Sequence, residues 1–203
     1  DHSHHIARLR IELQGTNPLV WRRVDVPLDL RLRRVHDVIQ AVFDWFDSHL
    51  HQFDVGNKVY GRPDIMGDDL GGTRLYSDNN IKLGAVLERG IDQFTYVYDF
   101  GDDWLHQVFV EQVFPLEEGV EYPILVDGER QAPPEDVGGP PGFAEFLAAM
   151  ADQNHPEHET WLEWRGGEPF DPEDMQLNVI DVMLGQMNKR RRGGPAKSSR
   201  TTT

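Results

Sequence analysis

The chain has 203 residues, 38% of them hydrophobic, which is long and apolar enough to bury one sizeable core. It has no cysteine, and this excludes disulfides, thiolate metal ligands and cysteine nucleophiles. The formal net charge of −15 predicts a surface that repels phosphate backbones, so we do not expect the folded body to bind nucleic acid.

Location and chain ends are predicted from simple patterns. No apolar run approaches the ~18 residues of a membrane span and no signal-peptide pattern opens the chain, so we expect a soluble, cytoplasmic protein without a membrane partner. Residues 1–5, which include three histidines, are expected to be disordered. Residues 188–203 form a basic tail with six Lys or Arg and no acid, which we also expect to be disordered. Nucleic-acid contact through this tail alone is one alternative function.

The first half of the chain alternates between strand and helix patterns. Apolar and polar residues alternate in four segments, and near residue 32 the period changes to that of an amphipathic helix. These patterns predict strands over 6–13, 21–26, 48–55 and 58–60 and a helix over 32–46. Residues 61–80 are rich in Gly, Asp and Asn and predict a long polar loop.

The second half contains the clearest pattern, a β-hairpin around a Gly-Asp-Asp turn. Apolar residues alternate on both sides of residues 101–103, which predicts paired strands over 94–99 and 104–114. The proline-rich residues 133–141 are not expected to form regular structure. Helices are predicted over 83–87, 143–150, 157–164 and 177–187. The order of elements favours an α+β fold: a single domain over 6–187, with an antiparallel sheet built from hairpins and packed against several helices.

The tip of this hairpin gathers more polar side chains than a chain reversal needs. Because constrained polar loops often serve recognition, we predict a ligand-binding site at the tip and the proline-rich segment. The candidate ligand contacts are Asp99, Asp102, Asp103, Trp104, His106, Glu135 and Asp136. Alternatively, the aspartates only accept backbone N–H bonds of the turn, and the aromatic residues only stabilise the sheet.

The histidines allow a second chemistry. On a strand, His49 and His51 share one face, because side chains two residues apart point the same way. If sheet pairing brings them near His106 and Asp102, the set offers ligands for a divalent metal or a general acid–base pair. His49 and His51 are then the candidate metal ligands, and His106 and Asp102 the candidate catalytic groups. We favour the structural alternative, in which these histidines, like His36 on the predicted helix, make buried hydrogen bonds.

Several motifs in a fixed order resemble the plasmid pRiA4b ORF-3-like family, also labelled a transposon passenger or TnpR-like family. The motifs are residues 18–24 with 32–40, Trp45 with residues 49–53, residues 96–106, residues 133–139, and residues 170–173. The resemblance covers nearly the whole chain, from Ile6 to Met187. Similar sequences often carry cysteines where this chain has Leu125 and Ala132, so a thiol or zinc role at those positions does not apply here.

The resemblance implies a single α+β domain, an association with plasmids and mobile elements, and no established activity. We favour a non-enzymatic binding or accessory protein without a cofactor, whose partner is a protein or a small molecule. A metal-assisted or acid–base hydrolase that uses His49, His51, His106 and the hairpin aspartates of residues 99–103 is the alternative.

Overall fold

The alternating segments of the sequence come together in one sheet, and helices pack against it. The computed structural model describes residues 2–192, with side chains described through residue 188. In that part of the chain the strands are β1 (His5–Leu13), β2 (Val20–Pro27), β3 (His51–Val55), β4 (Lys58–Gly61), β5 (Leu75–Ser77), β6 (Gln93–Tyr98), β7 (Trp104–Pro115) and β8 (Ile124–Glu129). The helices are α1 (Leu32–Val42), α2 (Pro63–Met66), α3 (Leu83–Glu88), α4 (Gly139–Ala151), α5 (His158–Trp164) and α6 (Leu177–Arg192).

The strands lie in the order β5-β4-β3-β6-β7-β1-β2-β8. Neighbouring strands are antiparallel except for β4 and β5, which are parallel. The predicted α+β class fits this mostly antiparallel sheet and its six helices. In the middle of the sheet, β6 pairs with β7 from Gln93 opposite Phe109 to Tyr98 opposite Trp104, which places the turn at residues 99–103.

The core lies where α1 meets the inner face of the sheet. Apolar residues recur on α1 with helical spacing, and Val35, Ile39 and Val42 are fully buried. They belong to one cluster with inward side chains of the strands, among them Leu9 and Val24. This packing fixes the position at which α1 ends, and therefore the path of the chain that follows it.

A buried arginine holds the C-terminal end of α1. Arg22 is buried, and its Nε donates a hydrogen bond of 2.7 Å to the carbonyl oxygen of Val42. Its Nη1 donates to the carbonyl oxygens of Trp21 and Glu129. Burial lowers the pKa of Arg22 to about 9, and the partial negative charge at the helix end favours the cation there.

Two predictions for loops are wrong. The predicted polar loop over 61–80 contains α2 and the short strand β5, which pairs with β4. The predicted irregular segment 133–141 ends in the first turn of α4, because prolines at the start of a helix give up no hydrogen bond. The edge strand β8, which pairs with β2, lies in a segment for which the sequence predicts no element.

The chain ends also differ from the prediction. His5 is the first residue of β1, and Nε2 of His2 lies 2.6 Å from Oε1 of Glu88, so residues 2–5 are not a free terminus. At the other end, α6 continues past Met187 to Arg192. The remainder of the predicted tail, residues 193–203, lies outside the described residues.

Candidate functional site

Three segments meet at the end of the β6–β7 pair. The first is the turn between these strands, residues 99–103, called the tip below. The second is residues 133–139, which lead into α4 and are called the proline loop. The third is residues 45–50, between α1 and β3, called the histidine loop. Hydrogen bonds join all three segments.

The tip contacts the proline loop through both backbone and side chain. Oδ2 of Asp102 accepts a hydrogen bond of 3.0 Å from the N–H of Gly138. A Cβ on Gly139 would lie 2.4 Å from the carbonyl oxygen of Asp102, and the φ of Gly139 is +66°. Only glycine fits both this close approach and this backbone conformation.

Asp99 serves the turn with one oxygen and leaves the other free for the site. Its Oδ1 accepts hydrogen bonds from the N–H groups of Gly101 at 3.0 Å and Asp102 at 3.3 Å. Its Oδ2 lies 3.5 Å from Nε2 of His49. Asp99 and Asp103 both have positive φ, at 62° and 56°, which short polar side chains tolerate in tight turns. The turn alternative considered above therefore holds for Oδ1 of Asp99.

The histidine loop is tied to the other two segments residue by residue. The indole Nε1 of Trp45 donates to the carbonyl oxygen of Pro133 at 3.1 Å, and the N–H of Phe46 donates to Oε1 of Glu135 at 3.0 Å. The carbonyl oxygen of Leu50 accepts a hydrogen bond from the N–H of Asp99 at 2.9 Å. The histidine loop is therefore anchored at both of its ends.

These contacts assemble a group of side chains that we call the His49 cluster: His49, Asp99, Glu135 and Asp136. Nε2 of His49 lies 2.7 Å from Oδ1 of Asp136 and 3.9 Å from Oε2 of Glu135. The side chain of His49 is 32% exposed and that of Asp136 is 66% exposed, whereas Asp99 and Glu135 lie deeper. The cluster is thus a surface site, and the carboxylates of Asp99 and Glu135 form its deeper side.

The electrostatics of the cluster favour the imidazolium form of His49. Partial burial acts to lower the pKa of His49, but the hydrogen bond to Asp136 and the charges of Asp99, Asp136 and Glu135 together raise it above the usual value. Glu135 is itself positioned by Tyr98, whose hydroxyl donates to Oε1 at 2.9 Å. Burial raises the pKa of the Tyr98 hydroxyl, so this group remains a hydrogen-bond donor.

A second group of polar side chains extends from the surface into the interior. Nδ1 of His36 is 2.6 Å from the hydroxyl of Tyr96, and its Nε2 is 2.9 Å from Oδ1 of Asp47. Nε2 of His51 is 2.7 Å from Oδ2 of Asp78, which is fully buried. The two imidazole rings stack with centroids 3.6 Å apart and an angle of 13° between their planes.

The stacked geometry of this pair does not fit a metal centre. Ligand atoms of His36, Asp47 and His51 do lie within 4.8 Å of one another. Imidazole lone pairs lie in the ring plane, however, and two nearly parallel stacked rings do not aim theirs at one point between them. Burial lowers the pKa of His51, against the opposing effect of Asp78.

Two of the predicted ligand contacts lie in the interior, which corrects their assignment to the surface. His106 is fully buried, and its ring lies against Phe43, Trp45 and Tyr96. Its Nδ1 is 3.0 Å from the carbonyl oxygen of Tyr96, and its Nε2 has no hydrogen-bond partner among the described residues. Trp104 is also buried. Trp104 and His106 lie two residues apart on β7, so they share a strand face, and that face points into the core.

The structure also separates His49 from His51, the two histidines that the metal alternative combines in one ligand set. His49 precedes β3 instead of lying on it, so His49 and His51 do not share a strand face and belong to different groups. His106 joins neither group as a ligand. The convergence of His49, His51, His106 and Asp102 that the metal or acid–base alternative requires is therefore not formed.

Sequence reasoning missed Asp47 and Asp78 as partners of the buried histidines. Asp78 comes from the segment predicted as a polar loop, where its burial gives no local signal. Asp47 has a φ of 53° at the end of a predicted helix, and no spacing rule connects it to His36. The predicted contacts Asp99, Glu135 and Asp136 do lie together, with Asp102 beside them at the proline loop.

A mostly antiparallel α+β domain with an acidic, histidine-containing surface site is thus the class of protein that the fold defines. The chain matches the family model described as plasmid pRiA4b ORF-3-like protein over residues 5–179, and it belongs to that family. The resemblance noted from the motifs is therefore confirmed. In the part of the chain that the structure describes, no helix has the length and apolar character that crossing a membrane requires.

Two relatives support the assignment. The chain is 40% identical over 166 residues to the uncharacterized protein y4hQ of Sinorhizobium fredii, an alignment that covers 82% of this chain and 84% of the relative. It is also 36% identical in sequence to a protein of unknown function with a crystal structure, MM3350 from Methanosarcina mazei Go1. That likeness has a TM-score of 0.75 and covers 84% of this chain and 94% of the other.

Proposed function

We propose that this protein is a non-enzymatic binding domain that captures a positively charged group of a partner protein at the His49 cluster. The observation that carries the proposal is an excess of negative charge held at the surface. Three carboxylates surround one imidazole, and among the described side chains no Lys or Arg forms an ion pair with them. The head group of an arginine or lysine supplies the charge that this cluster lacks.

The fixed geometry of the cluster supports binding without a large ordering cost. Glu135 is held by Tyr98 and by the N–H of Phe46, and Asp99 is held by the turn that it supports. The proline loop cannot move away from the tip without breaking the contact between Gly138 and Asp102. Carboxylates fixed in advance lose little freedom when a ligand arrives, which favours affinity.

The test is a titration with a short fluorescent peptide of alternating glycine and arginine, blocked at both ends and followed by anisotropy. We expect the double variant Glu135→Gln/Asp136→Asn to weaken peptide binding by about tenfold or more, because charge-assisted hydrogen bonds to carboxylates are lost. The titration is done at physiological ionic strength, since any acidic protein attracts a basic peptide at low salt.

The matched control changes the same number of charges away from the site. Glu117 and Glu118 are exposed and lie in the connection between β7 and β8. Glu117→Gln/Glu118→Gln should leave the affinity for the peptide within about twofold of the parent. Equal losses in the two double variants would mean that the peptide senses only the net charge, and the proposal would then be rejected.

A divalent metal ion at the same cluster is a second candidate, favoured by one observation. Ligand atoms of His49, Glu135 and Asp136 lie within 4.8 Å of one another, a spacing that a bound ion can bridge. His49→Ala separates the two candidates. It removes a ligand and should abolish binding of Zn²⁺ or Mn²⁺ in calorimetry, whereas it removes a positive charge and should preserve or strengthen binding of the arginine peptide.

A further inference from the structure

A cavity separate from the His49 cluster opens between α1 and α6. Its volume is about 510 Å³, which lies within the range of pockets that hold small organic ligands. It is called the α1–α6 cavity below. Its apolar wall is formed by Leu30, Trp45, Phe46, Met183 and Met187.

The apolar wall of this cavity combines aromatic and adaptable side chains. Trp45 is buried, donates a hydrogen bond to Pro133 and stacks on Phe43 and Tyr98. Phe46 is 72% exposed and supplies the open aromatic surface at the rim. Met183 and Met187 come from α6 on the opposite side. Methionine fills irregular space around ligands of different shape, and aromatic faces attract cations.

The polar side of the cavity offers hydrogen-bond acceptors with a net negative charge. Asp37 and Asp47 line it together with Arg34, the one cation among the described side chains of the lining, whose Nη1 lies 2.9 Å from Oδ2 of Asp37. Asp47 keeps 57% of its side chain exposed although Oδ1 faces His36. The hydrogen bond to His36 lowers the pKa of Asp47, so its carboxylate is ionised at neutral pH.

A hydrophobic wall beside an ionised carboxylate is complementary to a molecule with an apolar body and an amino group. We propose that the α1–α6 cavity binds a small organic amine, with the apolar body against Phe46, Met183 and Met187 and the ammonium group toward Asp47. This site shares no lining residue with the His49 cluster and does not rest on the function proposed for that cluster. The ligand class is a protonated primary amine on an aromatic or aliphatic body.

The test uses the five methionines of the chain as reporters. Protein labelled with ¹³C at the methionine methyl groups is titrated with 4-phenylbutylamine, and NMR signals are assigned by Met→Leu variants. We expect saturable shifts of Met183 and Met187, while Met66, Met150 and Met175, which do not line the cavity, stay in place. Titrations with 4-phenylbutan-1-ol and 4-phenylbutyrate should give at least tenfold weaker binding, because neither supplies the ammonium.

Two substitutions test whether the amine binds at Asp47. Asp47→Asn should weaken amine binding by about tenfold, whereas Glu118→Gln, an equal charge change elsewhere, should alter it less than twofold. Unchanged methyl signals, shifts of all five methionines alike, or equal binding of the amine, alcohol and acid would each overturn the proposal. Signals of Met183 and Met187 that follow protein concentration instead of amine would show that a second copy covers the cavity, and would overturn it as well.

Discussion

At the scale of single residues, the histidines divide according to what lies opposite their nitrogens. His49 faces carboxylates at the surface, and its pKa rises. His51 faces one buried carboxylate in a site where loss of hydration dominates, and its pKa falls. His106 faces a carbonyl oxygen on one side and no polar partner among the described residues on the other. Their roles follow from these surroundings.

The burial of His106 predicts a loss of stability in mild acid. Complete burial lowers its pKa from 6.5 to about 4. Between these values the unfolded chain binds a proton at this residue and the folded chain does not, so the free energy of unfolding falls as pH falls from about 6.5 to about 4. The contribution of His106 to this fall is about 3 kcal/mol, measurable by urea unfolding at several pH values.

A substitution isolates this contribution. In His106→Asn the amide can still donate to the carbonyl oxygen of Tyr96 but does not titrate, so the fall in unfolding free energy should be shallower by the same ~3 kcal/mol. The exposed His4 gives the matched control, because His4→Asn makes the same substitution away from the core. An unchanged pH dependence in His106→Asn would contradict the assignment.

At the scale of elements, the start of α4 determines whether the proline loop can reach the tip. Pro140 and Pro141 occupy the first turn of the helix, and Gly139 allows the backbone to pass directly over Asp102. The helix that these prolines begin could not be predicted from the sequence, because proline occurs both in the first turn of helices and at positions where helices end. The function of the glycine depends on a contact with a distant turn, and local patterns do not contain it.

Gly139→Ala should therefore destabilise the protein more than an ordinary change at a positive φ. The added Cβ meets the backbone of Asp102 and is also strained at φ +66°, so we expect a loss of about 2 kcal/mol or more in urea unfolding. Gly166→Ala is the control: its φ is +71°, but nothing lies within 4 Å of the new Cβ, and the loss should be about 1 kcal/mol. Equal losses would show that the close approach to the tip contributes nothing.

At the scale of the whole molecule, sheet order creates the site. Antiparallel pairing of β3 with β6 and of β6 with β7 sets the histidine loop beside the tip. Period-two alternation predicted the β6 and β7 strands and the acidic turn between them, because that pattern is local. The register that sets His51 opposite Tyr98 is not local, and neither is the contact between α1 and β3 that stacks His36 on His51. For that reason the buried network could not be predicted, whereas the residues of the tip and the proline loop could.

The most direct test of cation capture is the pKa of His49, measured by NMR with and without the arginine peptide. Peptide and proton both bring positive charge to the same three carboxylates, so each must weaken the binding of the other. We predict that the pKa of His49 is lower in the complex, and that peptide affinity rises as pH rises through this pKa. An unchanged or higher pKa of His49 in the presence of saturating peptide would contradict the account.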